Sequence, residues 1–156
     1  MRLPAWLPFR RSDEADAIRV ALLEETYLDP IVQDARDRLG MVLQAYEASQ
    51  RALLAARRRG QVVDTLEATL SQRQRRVADY QAAYEAAVRA AHDRVWTRYR
   101  ETVERGEDWT SVLTPQRRFT GNVRRFELAA QVKDPEPPTP AVVPGRVWGT
   151  AMKQQR

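Results

Sequence analysis

The chain has 156 residues, which fits one domain, and 30% of them are charged, with both signs interleaved and a net charge of +5. It contains no cysteine, which excludes disulfides and thiolate metal sites. No apolar run approaches the ~20 residues of a membrane-spanning helix, and the N-terminus lacks the apolar core of a signal peptide. We expect a protein of the cytoplasm or of an assembled particle, not one secreted by a signal peptide.

The N-terminal part is predicted to be an extended arm followed by a helix. Residues 1–12 contain two prolines, which disfavour helix in the residues before them. Ser12 is a good N-cap for a helix over about residues 13–28. The Asp29–Pro30 pair allows two alternatives, a new helix with proline in its first turn or a kink in one long helix. In either case the helical path continues to about Arg58.

Two runs with coiled-coil spacing flank Gly60, a residue that suits the αL position after a helix end. In each run the positions recur at alternating steps of three and four, which is typical of a helix packed on a partner helix. Together they predict a long antiparallel helical hairpin over residues 13–105. The first run is Val32, Ala35, Leu39, Val42, Tyr46, Ser49, Leu53 and Ala56, and the second is Val63, Leu66, Leu70, Arg73, Val77, Tyr80 and Tyr84.

Folding the hairpin at Gly60 places Arg73 beside Tyr46, whose ring can accept a guanidinium on its face. The spacing slips near Tyr84–Val88 like a stutter, which locally unwinds a supercoil. This slip lies opposite Pro30 in the expected pairing. Both signals predict a joint there, between a stalk near Gly60 and a thicker base formed by the other ends of the two helical arms.

The C-terminal third is predicted to be mostly irregular. Residues 106–133 form a loop and a short amphipathic helix, which Thr114–Pro115 opens. Residues 134–156 form a proline-rich extended arm. The predicted fold is therefore all-α, a long hairpin with a short C-terminal helix and an extended arm at each end.

The residues give little support for an enzyme. His92 is the single histidine, and it falls on the long second helix, where a satisfied or exposed side chain is the expected role. The phosphate-binding and nucleophile motifs built on glycine are missing. The paired carboxylates fit a solvated helix face with partners four residues away. We expect no catalytic residue, no metal site and no cofactor.

Aromatic residues outside the hairpin are the best candidates for partner binding. Tryptophan is a typical hot-spot residue, and an extended proline-flanked segment loses little entropy when it docks. The short helix can dock on the base through its two phenylalanines, with a membrane surface as the alternative. The candidate partner-binding residues are Trp6, Phe9, Trp148, Phe119 and Phe126.

Arginines crowd the part of the hairpin nearest Gly60 and predict an anion-facing tip. They are Arg57, Arg58, Arg59, Arg73, Arg75 and Arg76.

Three functions follow from these features, in order of preference. The first is a non-enzymatic structural or assembly protein, a helical spacer whose arms dock on neighbouring subunits of a large complex such as a phage-virion-like particle, with itself among the partners. The second is a nucleic-acid-associated protein that uses the arginine tip. The third is a peripheral membrane module that uses Trp6, Phe9, Arg10 and Arg11.

Overall fold

A computed structural model of the chain describes residues 9–115 and 128–140, with side chains from residue 14 onward. Over these ranges the protein is all-helical, with three α-helices, a short 3₁₀ helix and no strand. None of the helices in this part is both long and apolar enough to cross a membrane.

Helix α1 spans Phe9–Tyr27, so it begins four residues before the predicted start at residue 13. Residues 9–12, predicted as part of the extended arm, are helical, and Ser12 lies inside the first turn instead of capping it. Proline restricts the residue before it, but its own φ is compatible with a helix that starts directly afterwards. Helix formation immediately after Pro8 is therefore sterically allowed.

The helix is interrupted between Tyr27 and Pro30. Of the two alternatives at Pro30, a new helix is therefore the one observed, not a kink in one long helix. Helix α2 spans Pro30–Arg58, so proline occupies its first position, where its missing N–H leaves no hydrogen bond unmade. The amide of Leu28 donates to Glu24 O at 3.1 Å and that of Asp29 to Thr26 O at 3.3 Å, closing the last turn of α1.

Glycine ends both long helices with the same hydrogen-bond pattern. After α2, Gly60 has φ 67°, and its amide and that of Gln61 donate to Arg57 O and Ala56 O, each at 3.1 Å. This is the Schellman motif, which satisfies carbonyls that the helix leaves unpaired. Helix α3 spans Asp64–Glu104. Gly106, also at φ 67°, ends it with the equivalent pair of bonds.

The chain divides into two compact units, with boundaries at residues 29/30 and 87/88. Over the described residues, unit 1 comprises residues 9–29, 88–115 and 128–138, and unit 2 comprises residues 30–87, 139 and 140. The boundaries fall at Pro30 and next to the slip at Tyr84–Val88, where the heptad spacing predicts a joint. Helix α3 is continuous across residues 87/88.

Unit 1 contains an apolar core rich in aromatic side chains. Trp109 lies in the 3₁₀ helix Trp109–Val112, which Asp108 caps by accepting a hydrogen bond from the Thr110 amide at 3.0 Å. The sequence predicts a loop here, and the short helix explains how this tryptophan becomes 4% exposed. The core consists of Ile18, Ala21, Leu22, Val95, Trp96, Tyr99, Trp109, Val112, Leu113, Leu128, Ala129 and Val132.

Unit 2 buries one stripe on each of its two helical stretches. Every residue of the two predicted runs is buried or half-buried, including Ser49 and Arg73. Leu43 is also buried, although it lies beside the predicted stripe. The buried residues are Val32, Leu39, Leu43, Ser49, Leu53, Ala56, Leu70, Val77 and Tyr84.

Candidate functional site

The six arginines predicted to form a tip belong to two separate groups. Arg57 and Arg58 end α2, and Arg59 follows directly after it. Arg73 lies nine residues after the first residue of α3, and Arg76 twelve. At 1.5 Å per residue, these positions are about 14 and 18 Å along the helix. The two groups are close in sequence, but the length of α3 places Arg73 and Arg76 well beyond the start of that helix.

Three of these arginines bind within unit 2. The guanidinium of Arg57 donates to Glu67 Oε1 at 2.7 Å, and that of Arg59 donates to the Ala55 carbonyl at 3.2 Å. Because a cation at a helix C-terminus is favourable, the Arg59 contact is an ordinary feature of a helix end. Arg58, Arg75 and Arg76 are exposed.

Arg73 makes a contact different from the predicted one. Its Nη1 donates to the backbone carbonyl of Ala45 at 2.5 Å. The hydroxyl of Tyr46 accepts from Gln50 Nε2 at 2.9 Å. A carbonyl oxygen is the stronger partner because it accepts a directed hydrogen bond that the charge of the guanidinium strengthens. The arginine therefore ties α3 to the main chain of α2.

The side chains predicted to bind partners all lie outside the part of the chain that the structure describes. Trp6, Trp148, Phe119 and Phe126 lie outside the described residues. Phe9 is the first residue of α1, and its side chain also lies outside them. Most of the predicted short helix falls in the same gap, so the roles of these residues stay predictions.

A polar cluster in unit 1 was not expected from the sequence. His92 is 2% exposed, and neither ring nitrogen has a hydrogen-bond partner among the described residues. Its Nε2 lies 3.5 Å from Asp134 Oδ1, and its Nδ1 lies 3.6 Å from Asp93 Oδ1. Arg100 Nη1 lies 3.4 Å from the second oxygen of Asp134. We call His92, Arg100 and Asp134 the Asp134 clasp.

An aromatic ladder on α3 continues from the clasp into the core. His92 and Trp96 have ring centroids 5.8 Å apart. Trp96 and Tyr99 pack edge to face at 5.5 Å, and Tyr99 and Trp109 at 6.3 Å. These are the separations and tilts that aromatic pairs favour. The ladder joins α3 to the 3₁₀ helix.

Tyr99 also holds the segment that leads to the C-terminal arm. Its hydroxyl donates a hydrogen bond to the Ala129 carbonyl. Burial raises the pKa of Tyr99 to about 12, with the positive charge of Arg19 acting in the opposite direction. The phenol is therefore protonated and available as a donor at neutral pH. With Val132 in the core, residues 128–134 are fixed to α3 at several points.

The spacing of α3 contained a signal for the buried histidine. Val88, His92, Trp96 and Tyr99 follow one another at steps of four, four and three, so they share one helix face. The contact with Asp134 had no such signal, because it joins residues from two irregularly connected segments. The histidine could be placed in the core from sequence, but its partner could not.

The clasp joins the segment around Asp134 to helix α3. Among the residues described, no group of three or more His, Asp or Glu side chains is arranged to hold a metal ion. The clasp supplies two such side chains with an arginine beside them. Comparisons with known protein families, with curated proteins and with solved structures find no match to this chain.

Proposed function

We propose that this chain is a non-enzymatic structural protein, a helical spacer whose terminal arms dock on neighbouring subunits of a large assembly such as a virion-like particle. The observation that carries the proposal is the pair of long helices, 29 residues in α2 and 41 in α3, with a buried stripe on each. At 1.5 Å per residue α3 extends about 60 Å, far more than is needed to hold one small site.

The finer proposal is that α2 and residues 64–87 form an antiparallel, coiled-coil-like hairpin. Two contacts support it, each joining a position before Gly60 to one after it. Arg57 and Glu67 lie three residues before it and seven after. Ala45 and Arg73 lie fifteen before and thirteen after. Contacts of this kind are expected when two helices run in opposite directions from one turn.

Spin-label distances test the hairpin directly, because the natural chain has no cysteine to remove. We expect labels at Ala48→Cys and Ser71→Cys, both exposed positions, to lie roughly 10–25 Å apart, since packed helices are about 10 Å apart before the label arms are added. The matched control is Ala45→Cys with Ala52→Cys, seven residues apart on α2, with its distance fixed by one helix.

Dilution with unlabelled protein separates two forms of the same seam. A distance that persists on dilution belongs to one chain, and a distance that disappears belongs to helices exchanged between chains. A separation beyond about 40 Å, larger than packed helices allow, contradicts the hairpin.

Light scattering and cross-linking test the assembly role. We expect a solution mass above the 18.0 kDa of one chain and, in the native particle, cross-links from both arms to neighbouring subunits. A monomer whose cross-links all remain within the chain would remove the proposal.

Exposed arginines support nucleic-acid binding as a second candidate function. Arg58, Arg75 and Arg76 are exposed cations on unit 2. Phosphate contacts weaken steeply as salt rises, because counterions are released on binding. We expect the double change Arg75→Glu/Arg76→Glu to abolish such binding, and Arg38→Glu, which removes an arginine already paired with Asp34 at 2.9 Å, to weaken it less. Salt-independent binding excludes this function.

A further inference from the structure

The segment after the Asp134 clasp has an unusually restricted main chain. Each residue from 134 to 140 is either a proline or directly precedes one. Proline fixes φ near −65°, and the residue before a proline is pushed towards extended or polyproline II conformation. Residues 132–140 accordingly have neither helix nor strand hydrogen bonding. The segment therefore favours polyproline II geometry in the unbound state.

In that geometry the segment presents two proline edges and one polar edge. A polyproline II helix has three residues per turn, so residues three apart lie on one edge. Pro135 and Pro138 share the first edge, and Pro137 begins the second, which Pro140 continues. The third edge carries Glu136. Pro135, Glu136 and Pro137 are exposed in the structure, so the first turn is accessible.

The clasp fixes the point where this segment leaves unit 1. Val132 lies in the core, and the Asp134 carboxylate lies against His92 and Arg100. The first proline therefore follows a residue that is held on α3. A peptide with one end fixed and its conformation restricted loses little entropy on binding.

We propose that residues 135–140 are a docking peptide for a groove lined with aromatic side chains on a neighbouring subunit. Proline rings pack on aromatic faces, and polyproline II segments bind such grooves because little ordering is required. Glu136, on the polar edge, selects a groove with a cationic side chain at its rim. The inference rests on the proposed assembly role and names the element by which the C-terminal arm docks.

Carbon-detected NMR of the full chain tests the groove chemistry, with a panel of purified SH3, WW and EVH1 domains as probes. We expect at least one domain to shift the signals of Pro135, Pro137 and Pro138. The double change Pro135→Ala/Pro138→Ala removes one edge and should weaken that binding about tenfold or more, as the loss of two packed rings implies.

Two single changes separate the peptide from its attachment. Asp134→Asn removes the charge held in the clasp and should weaken binding about two- to fivefold by freeing the segment, with slower transverse relaxation of residues 133–136 as their mobility increases. Glu136→Gln removes a carboxylate from the same segment without touching the clasp and should leave that relaxation unchanged. Comparing Asp134→Asn with Glu136→Gln separates the effect of holding the proline segment in place from the effect of losing one negative charge.

The inference is overturned if no domain in the panel shifts the segment, or if the double proline change leaves affinity unchanged. Its failure is distinguishable from failure of the assembly role. Light scattering and native cross-links report the latter, and they can succeed when the proline segment binds nothing.

Discussion

Tyr99 combines the two roles that a buried tyrosine can have, packing and hydrogen bonding. Its ring is 1% exposed between two tryptophans, and its hydroxyl reaches the main chain at Ala129. The indole N–H groups of Trp96 and Trp109 have no partner among the described residues. Of these three rings, Tyr99 is therefore the one that links the core to another segment through a hydrogen bond.

The raised pKa of Tyr99 predicts a loss of stability in alkali. Below about pH 10 the phenol is protonated in both folded and unfolded chains, so it adds no pH dependence. As pH rises towards its folded pKa of about 12, the unfolded chain releases the proton first, and folding becomes progressively less favourable. We expect urea-unfolding midpoints to fall more steeply above pH 10 in the natural chain than in Tyr99→Phe.

Tyrosinate absorbance gives an independent readout of the same group. The natural chain has five tyrosines, and Tyr99→Phe should remove one high-pH component from the titration. Tyr46→Phe, which changes a half-buried tyrosine in unit 2, serves as the control and should leave the high-pH component of Tyr99 in place. If the Tyr99 variant loses a component near pH 10, burial does not control this phenol.

At the scale of elements, two glycines in unit 2 give a matched pair. Gly60 has φ +67°, and Gly40 lies within α2; a Cβ added at either would meet nothing within 4 Å. A methyl group is therefore uncrowded at both positions, and the backbone conformation decides whether alanine stabilises or destabilises the protein. We expect Gly60→Ala to destabilise the protein by about 1–2 kcal/mol, because a residue with a Cβ is strained in the left-handed helical conformation. Gly40→Ala should stabilise it by about 0.5–1 kcal/mol. Chemical denaturation measures both, and equal signs contradict the Schellman end.

Arg73 gives the corresponding test of how α3 is held to α2. We expect Arg73→Ala to lower the free energy of unfolding by about 1 kcal/mol, a modest value for a charged hydrogen bond because solvent screens it. Arg75→Ala, two residues along and exposed, should change stability by less than about 0.5 kcal/mol. Thermal unfolding at matched concentration compares them, and an equal loss in both variants would assign the effect to helix propensity.

Periodicity predicted the elements of this fold well because helices repeat locally. The runs around Gly60 predicted the buried stripes and the helix end, whereas Pro30 left a new helix and a kink as alternatives until the structure placed the start of α2 there. The contacts of individual side chains were less predictable. Arg73 was expected on a tyrosine ring and reaches a carbonyl instead. His92 was expected to be satisfied or exposed, and it is buried with no hydrogen-bond partner in the described part of the chain. Such contacts depend on packing between segments, which spacing along one helix does not encode.

The two units differ in how they bury apolar surface. Unit 1 gathers four segments of chain around aromatic rings, from α1, α3, the 3₁₀ helix and residues 128–132. Unit 2 buries smaller side chains along two helical stretches. Cooperative opening of a region depends on the apolar contacts within it. Each unit is therefore expected to have its own opening free energy, although α3 runs through both.

Hydrogen exchange under native conditions tests this expectation with one core change in each unit. Leu22 is 0% exposed in unit 1, and Leu39 is 2% exposed in unit 2, so each change to alanine should cost about 2–5 kcal/mol locally. We expect Leu22→Ala to accelerate exchange mainly in residues 18–27 and 92–103, and Leu39→Ala mainly in residues 32–56 and 66–84. Equal acceleration of both regions by either variant shows that α3 couples the two units into one cooperative structure, and the prediction of separate opening is then wrong.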